Sequence, residues 1–223
     1  MHELPPPPDP AVVERVRATI VAGHRGDRAA IDAALADANP QVREAALAAF
    51  VRVDAAAGMA AVQAALGDDA GRVRARASEL APHVGVDPQA LLADNDDRVV
   101  EVTCFACGEI DWDELQVEPP ISELIRIATS HDDALCRESA AAALGAIGDE
   151  RGLEAVLQAC GDRVTVRRRA TLALAAFDEP RADAALEHAL EDKDWQVRQA
   201  AEDLLEVGRV LDGEPDPDAY ADS

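Results

Sequence analysis

The residues of this chain with the means to do chemistry are four cysteines, five histidines, a few serines and 44 carboxylates. Cys104-Phe105-Ala106-Cys107 has CxxC spacing, but structural zinc needs two further ligands on a closed loop. Cys136 and Cys160 follow singly, each inside an apolar helical pattern. Thioredoxin-like chemistry would place the pair after a strand at a helix start, and no strand pattern precedes it. The four cysteines are therefore expected to be small core residues. His24, His83, His131 and His188 fall at loops or helix ends, and His2 lies in a proline-rich leader. Ser130-His131-Asp132 is consecutive, so its side chains diverge; Ser or Asp before the run ALCRESAAAAL reads as a helix cap. Ser78, Ser122 and Ser139 have no recognisable base. Carboxylates are so frequent that any two could be named as a pair, which removes their diagnostic value. No catalytic residue, cofactor site or metal site is expected.

Elements that could position such groups follow from composition. Alanine supplies 48 of 223 residues, aromatics 3%, and Lys193 is the only lysine among 21 basic residues. Alanine, leucine, arginine and glutamate favour helix, whereas strands lack the β-branched and aromatic residues they need. The formal charge is -23. A surface of that sign opposes nucleic acid and anionic lipid. No apolar run is long enough to span a bilayer, and the leader MHELPPPPDP has neither the basic nor the apolar region of a signal peptide. A cytoplasmic location is expected.

One pattern recurs six times: an acidic loop, an apolar residue, arginine, then small or apolar residues at helical spacing. Its leading residues are Val42, Val73, Val99, Cys136, Val166 and Val197. The arginines are Arg43, Arg74, Arg137, Arg167 and Arg198; Val100 stands in the third copy. Between these copies lie other amphipathic stretches, about 28–37, 58–66, 87–93, 121–129, 152–160 and 181–190. Such short helices are marginal alone and must stack. The arginines are expected to form a structural ladder to the acidic loop of the adjacent repeat. Asp37, Asp68, Asp94, Asp132, Asp162 and Asp192 or Asp194 suit loop or N-cap roles. Gly145 and Gly148 are read as permitting a tight helix end in the junction GAIGDERG.

The segments NPQVREAALAAF, RESAAAALGAIGDERGLEAVLQACGD and DKDWQVRQAAEDLLEV resemble the short HEAT-like repeats of the bacterial phycobilisome-lyase type, over about residues 28–208. The resemblance implies an all-α, right-handed α-solenoid of about six HEAT-like helix pairs with an N-terminal capping helix. Deoxyhypusine hydroxylases of this repeat class hold di-iron on paired His-Glu motifs; here His-Glu occurs only as His2-Glu3, so the metal does not carry over. Repair glycosylases of similar repeats need a basic aromatic groove, which this composition opposes. A lyase-like or cofactor-maturation enzyme is the alternative that the resemblance leaves.

The chain divides into a Pro-rich leader (1–10), a single repeat domain (11–210) and an acidic tail (211–223) read as disordered, with Tyr220 as the anchor if it docks. The capping helix, 11–24, is expected to turn Val12, Val13, Val16, Ile20 and Val21 inward. An acidic insertion at about 109–120 makes the third interval the longest. Insertions of this kind map to loops, often on a binding face. Trp112, Asp111, Asp113, Glu114 and Leu115 are thus partner-binding candidates, although Trp112 can equally fold back to seal the weak third repeat. Trp195 is the other candidate, read as packed on the preceding helix or as an exposed aromatic at the loop edge. Residues 1–110 carry a net charge of -7 and residues 111–223 one of -16. The expected function is a non-catalytic protein-binding scaffold or regulatory adaptor. Its acidic surface, mostly from the second helices, would meet a basic partner.

Overall fold

The computed structural model describes residues 9–211. The Pro-rich leader apart from its last two residues, and the acidic tail with Tyr220, lie outside them. Every regular element among the described residues is helical, in a solenoid-type arrangement of helix pairs. The chain divides into two compact units, Met1–Glu118 and Pro119–Ser223.

In the first unit, α1 (Pro10–Arg25) precedes the pair α2 (Arg28–Leu35) and α3 (Pro40–Val53). The pair α4 (Ala55–Ala65) and α5 (Gly71–Val84) follows. In the third pair, a single 3₁₀ segment, Gln89–Ala93, replaces the first helix before α6 (Asp97–Glu109). The insertion holds one turn, α7 (Trp112–Leu115). The long helices α1, α3, α5 and α6 lie side by side in that order. Their apolar stripes meet the shorter helices in cores such as Leu47, Val62, Val73, Ala77 and Leu80. Burying each large side chain of this kind contributes about 1.5–3 kcal/mol.

The second unit repeats the scheme with α8 (Ile121–Ser130) and α9 (Ala134–Ile147), then α10 (Leu153–Ala159) and α11 (Val164–Ala173), then α12 (Pro180–Ala189) and α13 (Trp195–Leu211). Here α9, α11 and α13 form the long-helix row. Leu124, Ile127, Leu144 and Val156 are fully enclosed.

Two local expectations change. Pro10 is the first residue of α1, with Asp9 capping it; proline suits that position because its missing N–H has no helical acceptor there. The face of α1 is also rotated from the one expected. Val12 is buried, but Val13 is 47% and Ile20 44% exposed, and Val21 is exposed too. The inward face is instead Thr19, Ala22 and Gly23. A methyl group on Gly23 would sit 2.7 Å from the Ala49 Cβ. Close helix approach therefore selects the small residues and leaves the aliphatic ones outside. Gly145 behaves likewise: it lies inside α9 against Ala173, and Gly148 alone ends the helix.

Candidate functional site

The recurring arginines form a continuous pattern of hydrogen bonds within each unit. Arg43 donates from Nη1 to the Asp37 carbonyl of its own loop (3.0 Å), and from Nε and Nη2 to the Asp68 carboxylate of the next loop (2.9 and 2.7 Å). Arg74 repeats this with the Asp68 carbonyl and the Asp94 carboxylate. Arg137 does so with the His131 carbonyl and Asp162, and Arg167 with the Asp162 carbonyl and Asp192. Arg198 donates to the Asp192 carbonyl. Arg15 on α1, unnoticed in the sequence, opens the series on Asp37 at 2.9 Å. Its signal is the constant 25-residue step from Arg43, Arg137 and Arg167 to their aspartates, of which Arg15 to Asp37 is a shortened copy.

These aspartates are rung acceptors, not caps. Asp37, Asp68, Asp94 and Asp192 each accept the backbone N–H two residues on. The caps of α3, α6 and α9 are Asn39, Asp96 and Asp133. At 131 the aspartate position holds histidine, whose Nδ1 accepts the Asp133 N–H. In sequence, the repeat lacking the arginine, at Val100, is followed by the repeat with histidine at the aspartate position. Ser130 donates its hydroxyl to the Arg126 carbonyl, and no triad forms with His131 and Asp132.

Hydrogen bonds from Arg74, Arg137 and Arg167 hold Asp94, Asp162 and Asp192 below the usual carboxylate range, with partial burial opposing. A carboxyl group whose pKa is depressed on folding stabilises the fold above its unfolded value and loses that contribution as pH falls through the folded one. The stability difference between the native chain and Arg137→Met is therefore expected to be constant above about pH 5 and to shrink as pH falls below the ordinary carboxylate range of about 4. Thermal denaturation across that range checks it; a difference that does not change would mean the carboxylates contribute nothing to the ladder.

The insertion has two faces. Trp112 is only 8% exposed, and its indole N–H donates to the Cys107 carbonyl at 3.0 Å. It seals the end of α6 beside the shortened third pair, which leaves its ring no free face for a partner. Asp111, Asp113 and Glu114 are exposed and Leu115 half-buried. Asp111 also caps α7 by accepting the Glu114 N–H. Asp111, Glu114 and Leu115 line a half-open cavity of about 570 Å³ with Met59, His83 and Ile110. That volume lies in the range of ligand sites. Its lining mixes apolar side chains with the two carboxylates. The sequence places His83 at a loop or helix end and gives Met59 no site role; both reach the cavity, from α5 and α4, far from the insertion in sequence. Trp195 stands apart on the second unit, 63% exposed at the start of α13.

Nucleophiles and metal ligands are not gathered. Cys104, Cys107 and Cys136 are buried and Cys160 half-buried. Burial, with the Asp87 charge, pushes the Cys107 thiol up to about 12, and burial pushes Cys160 up to about 11, so thiolate is disfavoured at both. Among the described residues no three His, Cys, Asp or Glu side chains converge to hold a metal ion. No helix there is long and apolar enough to cross a membrane.

Comparison with curated proteins gives no match. Among solved structures, the chain is similar to human deoxyhypusine hydroxylase in complex with glycerol, at 18% identity and a TM-score of 0.40, over 87% of this chain and 90% of that one. A family model described as HEAT repeats matches residues 121–206, the stretch that runs from the start of α8 into α13.

Proposed function

We propose that the protein is a non-catalytic scaffold or adaptor that binds a basic protein segment at the cavity beside the acidic insertion. The observation carrying this is that Asp111 and Glu114 line the same cavity as the apolar Met59, Ile110 and Leu115. A lysine or arginine side chain fits such a site in two parts: its methylene stem lies on the apolar side chains while its charged head stays among the carboxylates. The chain's net charge of -23 adds long-range attraction for a basic partner. The elevated Cys107 and Cys160 thiols support a binding role over a nucleophilic one. The short repeat period supports placing the repeats with those of the phycobilisome-lyase type.

Fluorescence anisotropy with a labelled amphipathic Lys/Leu peptide tests the reading. The chain is expected to bind it saturably, and added salt to weaken the complex. The variant Asp111→Asn, Asp113→Asn, Glu114→Gln retains a capping side chain at 111 and should bind about tenfold more weakly. Equal affinity of variant and native chain would remove the cavity from the proposal.

A further inference from the structure

A second groove has the opposite character. It has a volume of about 480 Å³ and runs where α1, α3 and α5 lie side by side in the first unit. Val16 and Ile20 form one wall, Ala48 lies in the floor, and Arg52, Arg72 and Arg76 line it. None of these arginines belongs to the ladder. Arg72 donates to Glu44, the one acid lining the groove, at 2.7 Å. Arg76 pairs with Glu79 on its own helix. Arg52 has no carboxylate partner among the described residues; its Nη1 lies 3.4 Å from both ring nitrogens of His24. Arg17, exposed beside Val16, also lacks one.

The apolar wall has a structural origin. Because Thr19, Ala22 and Gly23 take the inward face of α1, Ile20 stays 44% exposed and lines the groove with Val16. Exposed aliphatic surface beside Arg52, which has no carboxylate partner among the described residues, and beside Arg76, which pairs with the exposed Glu79 of its own helix, suits a ligand that is both apolar and anionic.

We propose that this groove docks an acidic segment of a partner protein. An aliphatic or aromatic side chain of the segment would lie against Val16 and Ile20, and its carboxylates would meet Arg52 and compete with Glu79 for Arg76. Carboxylate–arginine contacts are short, directional and often bidentate. A nucleic acid is the other polyanion with this chemistry, and two features disfavour it. A long polyanion extends past the groove into the field of the remaining acids, which acts over about 10 Å at moderate salt. The groove also offers no aromatic face on which a base could stack. A short acidic segment avoids the first difficulty and does not need the second feature.

The test uses the full chain and a labelled synthetic peptide with the sequence of residues 212–223, which holds five acids, no base and one tyrosine. At low ionic strength binding is expected to be saturable and one-to-one, and to weaken severalfold as salt rises from about 0.05 to about 0.3 M. Arg52→Glu and Arg76→Glu should each lower affinity about tenfold. Ile20→Ser, at an exposed position outside every ion pair, should lower it a few-fold and leave the thermal midpoint unchanged, which separates docking from folding. A single-stranded oligonucleotide of matched charge should bind more weakly than the peptide. No saturable binding, unchanged affinity in Arg52→Glu and Ile20→Ser, or tighter binding of the oligonucleotide would each overturn the proposal. The Lys/Leu peptide of the earlier test should not compete, since it addresses a different cavity.

Discussion

Arg167→Ala is expected to lower the stability of the second unit by about 3 kcal/mol. Arg167 is only 7% exposed. Its Nε and Nη2 donate to both Asp192 oxygens at 2.9 Å, and its Nη1 donates to the Asp162 carbonyl at 2.9 Å. The substitution leaves a largely enclosed carboxylate and a carbonyl facing empty space, and that loss of compensation dominates the effect. For a chain of this size the thermal midpoint should fall roughly 6–12 °C. Arg181→Ala is the contrast. Arg181 bridges Glu154 and Glu179 with its side chain in solvent, and its removal should leave the midpoint where it was. Equal shifts in the two variants, measured by thermal or urea denaturation, would show that the ladder has no more weight than an ordinary surface pair.

Gly145→Ala sets two effects against each other. Alanine in a helix interior is favoured over glycine by about 1 kcal/mol. The new Cβ would lie 2.5 Å from the Ala173 Cβ and 2.7 Å from its Cα. A backbone atom cannot turn aside, so α9 and α11 must separate and loosen the packing around Leu144 and Val166. Overpacking of this sort costs about 1–3 kcal/mol or more, so the net change should be a loss of at least about 1 kcal/mol, with partial recovery in Gly145→Ala, Ala173→Gly. A gain in midpoint for the single variant would mean that the helices have room to spare at this crossing.

The helix pairs were legible because apolar residues at helical spacing alternate with acidic loops, a signal that each repeat restates. Which face of α1 points inward was not legible. Counting apolar residues favours Val13 and Ile20, whereas the packing is decided by how closely backbones approach, and that rewards Thr19, Ala22 and Gly23. Asp37, Asp68, Asp94 and Asp192 were marked as loop or cap residues. Sequence alone does not separate an aspartate that caps its own helix from one that serves the previous helix, because the two positions are two residues apart. Trp112 could be read as a seal or as a partner contact until its indole N–H was seen on Cys107. The arginine-lined groove is hidden in the sequence for a different reason: Ile20, Arg52 and Arg76 come from the capping helix and two successive pairs, and the summed charge of the chain points the other way.

Part of that summed charge follows from the architecture. Asp9, Asp27, Asp54, Asp96, Asp111, Asp133 and Asp149 close helix starts, while Asp37, Asp68, Asp94, Asp162 and Asp192 receive the ladder arginines. A short repeat has many beginnings per unit length, and each calls for an anion, whereas each rung supplies a single cation. An array that lengthens by duplicating such repeats drifts to lower isoelectric point through growth alone, and gains colloidal solubility along the way. A share of the bulk acidity in a molecule of this design thus records how many times the motif has been copied.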